Sequence, residues 1–385
     1  VNAPVVDLRS SESEAAELLA LVREIGRREL APHAAAAEAE GRFPREAFRT
    51  LGGSGLLGLP YPEAHGGGGV SQELYLQVVE ELSRHWLAVG LGVSVHTLSC
   101  HGLAEFGSPE QQAKWLPEML GGDQLGAYCL SEAHAGSDAA ALRTRAELQS
   151  DGDYLITGTK AWITHGGVAD FYLVLARTGQ DGPKGISAFL VRAEDAGISA
   201  ATPERKMGAR ASVTAQVSFD GVRVSPDRLV GELGGGFAVA MSALACGRLG
   251  IAAGAVGVAQ AALDVAVGYA KERTAFGRSI AEFQGVSFLL ADAAAGIEAA
   301  RQLYLYAARR KDSGLSFATE AAMAKLVATE TCMRVTTDMV QVLGGAGYVE
   351  DHPVERYMRE AKMLQIVEGT NQIQRLVIGR DLVQG

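Results

Sequence analysis

The chain has 385 residues, 48% of them hydrophobic, and its 45 acidic against 35 basic side chains give a formal charge of -10. A chain of this size can bury a large core shared among two or three packed domains, and its acidity argues against a polyanion-binding surface, so no nucleic-acid partner is expected. Cys100, Cys129, Cys246 and Cys332 form no C-x-x-C pair and the eight histidines no H-E-x-x-H, so neither a disulfide framework nor a metal site is expected and a reducing, cytoplasmic compartment suits the chain.

The start, Val-Asn-Ala-Pro, shows no basic and apolar leader, and no secretory signal is expected there. From residue 12 to about 122 the pattern is helical, beginning with Glu-Ala-Ala-Glu-Leu-Leu-Ala-Leu-Val-Arg-Glu-Ile. Within it, Ser108-Pro109-Glu110-Gln111 supplies an N-cap, a first-turn proline and a capping-box partner. The pattern changes near Asp123. Three Asp-Gly pairs (151–152, 181–182, 220–221) then separate or border strand-like runs such as Phe171-Tyr172-Leu173-Val174-Leu175, and Val213, Ala215, Val217 and Phe219 alternate with polar residues. These signals predict an antiparallel β domain.

After Gly234-Gly235-Gly236 the helical period returns, with Leu249, Ala252, Val256, Ala259, Leu263 and Ala266 spaced at three and four. Long helical stretches at roughly 284–312 and 317–343 complete a bundle. The expected fold is therefore α+β: an all-helical domain over 1–123, a central antiparallel β domain over 124–231 and a C-terminal four-helix-bundle domain over 232–385. Two uncharged runs, 233–247 and 249–263, flank Arg248; each is short and rich in Gly and Ala, so both read as buried helix and no membrane insertion is expected. An arginine in such a setting is either one half of a structural ion pair or a contact to an anionic or polar ligand.

Near the end, Glu368-Gly369-Thr370 precedes an apolar helical stretch. Gly369 frees the backbone beside the acid, Thr370 can cap the helix, and Ile373, Leu376 and Val377 are expected to bury one face of it. A carboxylate held at such an edge is a candidate base. Alone, it reads equally as a solvated glutamate favoured by the helix dipole. The G-x-G-x-x-G string Gly53, Gly55, Gly58 follows a helical run rather than a strand and so lacks the context of a dinucleotide fingerprint. Gly66–Gly69 reads as a flexible surface loop. The segment Tyr128–Asp138 gathers small residues and hydroxyls onto which a flat polar cofactor can lie, and Lys160–Gly167 adds an indole and a further hydroxyl; taken singly, Trp162 reads as a core residue.

Five segments in order give the chain a specific resemblance: Tyr128–Asp138, Trp162-Ile163-Thr164, Glu272-Arg273-Thr274-Ala275-Phe276-Gly277, Gln341–Tyr348, and Glu368–Arg375. Over nearly its whole length it resembles the acyl-CoA dehydrogenases, flavoproteins that introduce a double bond between the α and β carbons of an acyl-CoA thioester. The helix, sheet, helix order is that family's architecture, and the resemblance implies FAD, a homotetramer of paired dimers, and electron-transferring flavoprotein as electron acceptor.

Residue by residue, the resemblance makes Glu368 the base that removes the α proton. It implies hydrogen bonds from Ser131 and Thr164 to the flavin ring and packing of Trp162 against it, with Tyr128, Leu130, Gly136, Ile163 and Gln284 in the same cofactor-binding set. Ser137 matches a position touching acyl-CoA and is counted with the cofactor residues too. Arg273 and Phe276 match contacts to the FAD of a neighbouring subunit, and Gln341, Gly344 and Gly345 the loop around its adenine half. Thr370 and Gln372 resemble pyrophosphate-side contacts. Arg248 and Arg380 fall where the family places CoA-side arginines, and Gly369 belongs to the substrate set. Val367 stands where many members carry tyrosine, which implies a smaller wall, and Ala275 agrees with the short-chain members. Some branched-chain members carry the base near Arg248, but Ala245, Cys246, Gly247 and Leu249 are not acidic. Two competing readings remain at this stage: an oxygen-using acyl-CoA oxidase of the same fold, and a catalytically idle binding module.

Overall fold

The computed structural model describes residues 8–384. Helices α1 (Leu8–Ile25), α2 (Ala31–Glu40), α3 (Arg45–Gly53), α4 (Gln72–His85), α5 (Leu87–Phe106) and α6 (Pro109–Leu120) come first. Ser108 accepts from the Gln111 amide and Gln111 reaches back to the Ser108 amide, the capping box expected at the start of α6. The Gly53–Gly58 string lies where α3 gives way to turns, with no strand before it. Gly66–Gly69 is not a loose loop: Gly67, Gly68 and Gly69 donate to the carbonyls of Pro62, Gly58 and Tyr61 at 3.1, 3.1 and 2.8 Å.

The sheet comprises β1 (Gly126–Cys129), β2 (Arg145–Leu148), β3 (Tyr154–Thr164), β4 (Phe171–Arg177), β5 (Ile186–Arg192), β6 (Ile198–Ala200), β7 (Thr214–Val224) and β8 (Leu229–Val230). Its order is β6-β7-β3-β2-β4-β5-β8, with β1 beside β4. Most ladders are antiparallel as expected, but β1 and β2 both pair with β4 in parallel, because the chain reaches each through a long connection rather than a hairpin. Asp151-Gly152 turns the chain from β2 to β3, whereas Asp220-Gly221 lies inside β7, where Gly221 at φ +63° bends the strand without ending it.

The last part holds α7 (Gly236–Glu272), the strand pair β9 (Thr274–Ala275) and β10 (Arg278–Ser279), then α8 (Gln284–Asp312), α9 (Ala318–Leu343), α10 (Gly345–Tyr348), α11 (Val354–Leu364) and α12 (Asn371–Gln384). The two uncharged runs are one 37-residue helix, α7, with Arg248 inside it. By length and composition α5 and α7 are each able to cross a membrane, yet both are mostly buried in protein. Leu249, Ala252, Val256, Ala259, Leu263 and Ala266 are all buried. A single apolar core runs from Val22 through α4, α5, α7, α8 and α9 to Leu364, so the first and last helical groups pack as one body. Glycines make this possible: a Cβ at Gly257 would strike the Glu80 carbonyl of α4, and one at Gly250 would strike Ser94 Oγ of α5.

One buried ion pair fixes the sheet to the segment that follows β1. Lys160 on β3 is fully buried, and its Nζ donates to Glu132 Oε1 at 2.9 Å and to the Leu130 carbonyl at 3.0 Å. Glu132 also accepts from the Arg143 and Thr144 amides at 2.7 and 2.9 Å. Burial alone would raise the Glu132 pKa; the Lys160 charge and these donors outweigh it and bring it down to about 2. Since the folded value is depressed, this stabilisation is complete above the ordinary carboxylate range and is lost as pH falls toward 2. Lys160→Met, which strands Glu132 as a lone buried charge, is expected to cost about 3–5 kcal/mol at neutral pH. Urea unfolding checks this, with most of the loss recovered in Lys160→Met/Glu132→Gln.

Candidate active site

The turn between α11 and α12 is built to expose one acid. Glu368 and Gly369 both adopt left-handed backbone, at φ +51° and +89°, a conformation a glutamate adopts only under constraint from its surroundings. The constraints are polar. Thr370 Oγ1 accepts from the Ile373 amide at 3.4 Å, and Gln374 Nε2 donates to the Gly369 carbonyl at 2.8 Å. From below, the fully buried Lys325 of α9 donates through Nζ to the Gly369 carbonyl at 3.0 Å and to Asn371 Oδ1 at 2.8 Å. Thr329 Oγ1 reaches the same Asn371 oxygen at 3.1 Å, and Asn371 Nδ2 donates to Glu330 at 2.9 Å. The expected apolar face of α12 is therefore corrected: Leu376 is 46% exposed, Ile373 and Val377 are half-buried, and the buried side chains are Asn371 and Gln374. In this chain the helix is docked by hydrogen bonds at its first turn.

The carboxylate itself has no partner. Both Glu368 oxygens are buried without a hydrogen bond, and they occupy the space beside Gly247 on α7, where a Cβ would collide with Oε2. Burial pushes the Glu368 pKa up and the Arg248 and Lys325 charges pull it back, leaving it at about 7. Burial likewise brings Lys325 down to about 7, against the opposing pull of Glu368. Arg248 is 7% exposed and its Nε has no partner. Its guanidinium feels the charge of Glu368 and not that of a structural ion-pair partner, so of the two readings of this arginine the ligand contact is favoured.

A flat surface lies alongside. The register of β3 against β7 slips between Lys160 and Ile163, and this bulge, with Trp162 at φ +57°, turns the indole outward to 56% exposure. Trp162 is thus an outward-facing and not a core residue. The Ala161 amide donates to the Ser131 carbonyl at 2.9 Å, which brings Leu130 and Ser131 beside Ala161 and Trp162. Thr164, at the end of β3, is half-buried, as is Tyr128, whose hydroxyl donates to the Ala240 carbonyl of α7 at 3.4 Å. Burial, and then the nearby Glu368 charge, raise the Tyr128 pKa, which sets the Tyr128 end of this strip toward the acid. Ile163 points into the sheet core, and Gly136 and Ser137 are exposed at the edge of the strip.

Other expected site residues lie on the surface of the single chain. Phe276 and Gly277, at φ +51° and +81°, form the two-residue turn between β9 and β10. Phe276 is 96% exposed there, with Arg273 and Gln284 exposed nearby in the sequence. Gln341, Gly344, Gly345, Gln372 and Arg380 are exposed as well. Among the described residues, no hydrogen bond or ion pair joins these groups to Glu368. Val367 packs against the main core. Three contributors escaped sequence reasoning: Lys325, Asn371 and Gly247. Lys325 left a trace, since it sits four residues before Thr329 on the face that α9 buries with Ala321, Ala328 and Cys332; a lysine at such a position needs a partner.

Family models for the N-terminal, middle and C-terminal domains of acyl-CoA dehydrogenase match residues 12–123, 127–222 and 234–383. An acyl-CoA dehydrogenase of Bacillus subtilis is 45% identical over 95% of this chain and 97% of its own length. A short-chain specific acyl-CoA dehydrogenase of Clostridium acetobutylicum is 43% identical over 93% of this chain and 95% of its own length. The structure of butyryl-CoA dehydrogenase from Megasphaera elsdenii superposes with a TM-score of 0.94 at 39% identity, covering 100% of both chains. The fold and site define a flavin-dependent oxidoreductase acting on CH–CH bonds. The chain belongs to the acyl-CoA dehydrogenase family, whose members use FAD.

The residues present fit that cofactor: an outward-turned indole beside the half-buried Ser131 and Thr164 offers a plane with hydroxyls next to it, and the unpartnered Glu368 and Arg248 atoms lie within the same site. The Lys325 clamp generates a prediction. Because its charge lowers the Glu368 pKa, Lys325→Met is expected to raise it above about 7. Infrared titration of the carboxylic acid band, assigned by its loss in Glu368→Gln, measures the shift; an unmoved or lowered value contradicts the clamp's electrostatic part.

Proposed function

We propose that the protein oxidises a short acyl-CoA to its trans-2-enoyl-CoA with Glu368 as the base. The observation that carries this is the buried carboxylate without a partner, seated against Gly247 with its pKa raised to about 7. An unpaired carboxylate in a dry site is a far better base than one in water. The α C–H bond breaks with its proton passing to Glu368, the double bond forms, and the β hydrogen leaves with its electron pair. Bound FAD supplies the two-electron oxidation by accepting that hydride. Trp162, Ser131 and Thr164 orient the ring system, and Arg248 meets the anionic or polar part of the thioester ligand. Lys325 keeps the Glu368–Asn371 turn from relaxing, so the base does not drift from its near-attack position.

The exposed Phe276, Arg273 and Gln284, with Gln341, Gly344 and Gly345, are the surface through which a second copy completes the FAD site. This is supported by a phenylalanine displayed at 96% exposure on a strained turn. A homotetramer acting on acyl-CoA in the cytoplasm, reoxidised by electron-transferring flavoprotein, follows the family pattern.

Glu368→Gln keeps size and removes the base. FAD and acyl-CoA are expected to bind while flavin reduction falls by roughly 10²–10⁴-fold or more. Anaerobic stopped-flow mixing, following flavin absorbance, checks it; reduction at the parent rate means the base lies elsewhere. In the unmodified protein the reduction rate is expected to rise with pH through about 7 and then level, since only the ionised carboxylate accepts the proton. A rate that falls over that range contradicts the assignment.

A further inference from the structure

A cavity adjoins the base on the side of α5 and α7. It begins at Gly247, against which the Glu368 carboxylate sits, and passes Cys246 and Thr97 toward His101 and Lys311. The direction follows from the helix pairing. Ser94 of α5 meets Gly250 of α7, while His101 Nε2 lies 2.9 Å from Ser242 Oγ, so the two helices are antiparallel and Thr97 stands near the level of Gly247. From Thr97 to His101 is four residues of helix, about 6 Å. The free interior is about 30 Å³, room for little more than a water or two.

The walls of this cavity mix apolar surface from Pro60, Leu98 and the Tyr61 and Tyr75 rings with polar groups. Thr97 is 9% exposed, and its buried Oγ1 makes no well-formed hydrogen bond, the Tyr75 hydroxyl being its polar neighbour. Its carbonyl is taken by the Tyr61 hydroxyl at 2.5 Å. Lys311 Nζ donates to the neutral Gln72 Oε1 at 2.8 Å and faces Cys246 as well, and Glu105 also lines the cavity. His101 stays neutral, its pKa brought down to about 3 by burial and then by Lys311. A methyl-terminated chain pressed into this space would offer Thr97 Oγ1 no polar group while sealing it from water, which a buried hydroxyl resists. An anionic terminus would meet one cation, Lys311, in a space that two carboxylates, Glu105 and Glu368, also border.

We infer that the site selects a short acyl group whose far end carries an uncharged hydrogen-bonding function, a hydroxyl or an amide, received by Thr97 and Lys311. This rests on the dehydrogenase reading of Glu368 given above. The terminal group fills this small space and gives Thr97 Oγ1 a well-formed hydrogen bond.

The test uses the FAD-loaded enzyme and butanoyl-CoA with its terminal-hydroxyl, terminal-amide and terminal-carboxylate analogues, scored by anaerobic flavin bleaching. The corresponding thioethers, which lack the carbonyl and cannot react, are titrated by calorimetry as a second readout. The hydroxyl or amide member is expected to exceed the methyl member by about tenfold in kcat/KM and in affinity, the scale of one well-made buried hydrogen bond. Thr97→Val and Lys311→Met should each shrink that ratio. Equal or better performance by the methyl member in both readouts overturns the inference, as does a clear win for the carboxylate. If no acyl-CoA bleaches the flavin, the dehydrogenase reading fails separately and the thioether series still decides the pocket.

Discussion

A base for a weak carbon acid has to be kept out of water without being neutralised by the protein that buries it, and the architecture around Glu368 meets both demands. The carboxylate finds space only because position 247 of α7 is glycine. Its backbone keeps a left-handed turn only because Lys325, Gln374 and Thr370 hold the adjacent groups. None of those three touches the carboxylate oxygens. The restraint acts on the main chain, and the reactive atoms stay unpaired with a pKa near neutrality.

That arrangement explains why the two helical groups are fused. Gly247 belongs to α7, Lys325 to α9 and the base to the turn before α12, while Tyr75 and Thr97 of α4 and α5 close the far side. A site drawn from five elements holds its geometry only if those elements move together. The continuous core from Val22 to Leu364, with glycines allowing α7 to approach α4 and α5 closely, provides that rigidity. The sheet contributes differently: its bulge at Trp162 breaks the strand register and turns an indole outward, while the buried Lys160–Glu132 pair ties the Leu130–Ser131 segment to the same strand.

Polar groups buried in an otherwise apolar bundle are the common thread. Lys325, Thr97, Arg248 and His101 each sit where a purely structural design would place leucine or alanine. Lys325 is satisfied by carbonyl and amide oxygens and serves the turn. Thr97 and Arg248 retain an unpartnered atom next to the site. The difference separates groups that hold the site together from groups that face what enters it.

Much was legible in the chain itself. Helical period, capping signals and strand alternation gave the order of helices, sheet and helices, because these patterns depend on spacings of a few residues. The acid was legible too, through Gly369 and Thr370 beside it and through the family motifs. Sequence reasoning went astray where distant contacts decide. It expected an apolar face on α12 from Ile373, Leu376 and Val377, whereas Asn371 and Gln374 are the buried residues, since their partners come from α9 and from the preceding turn. Trp162, which read singly as a core residue and in combination as a flavin contact, faces outward because of a register slip against β7 that no local pattern announces. Gly247 and Lys325 went unnoticed for the same reason. They lie 121 and 43 positions before Glu368 in the chain, and only the packing of three helices brings a missing methyl and a buried ammonium to one carboxylate.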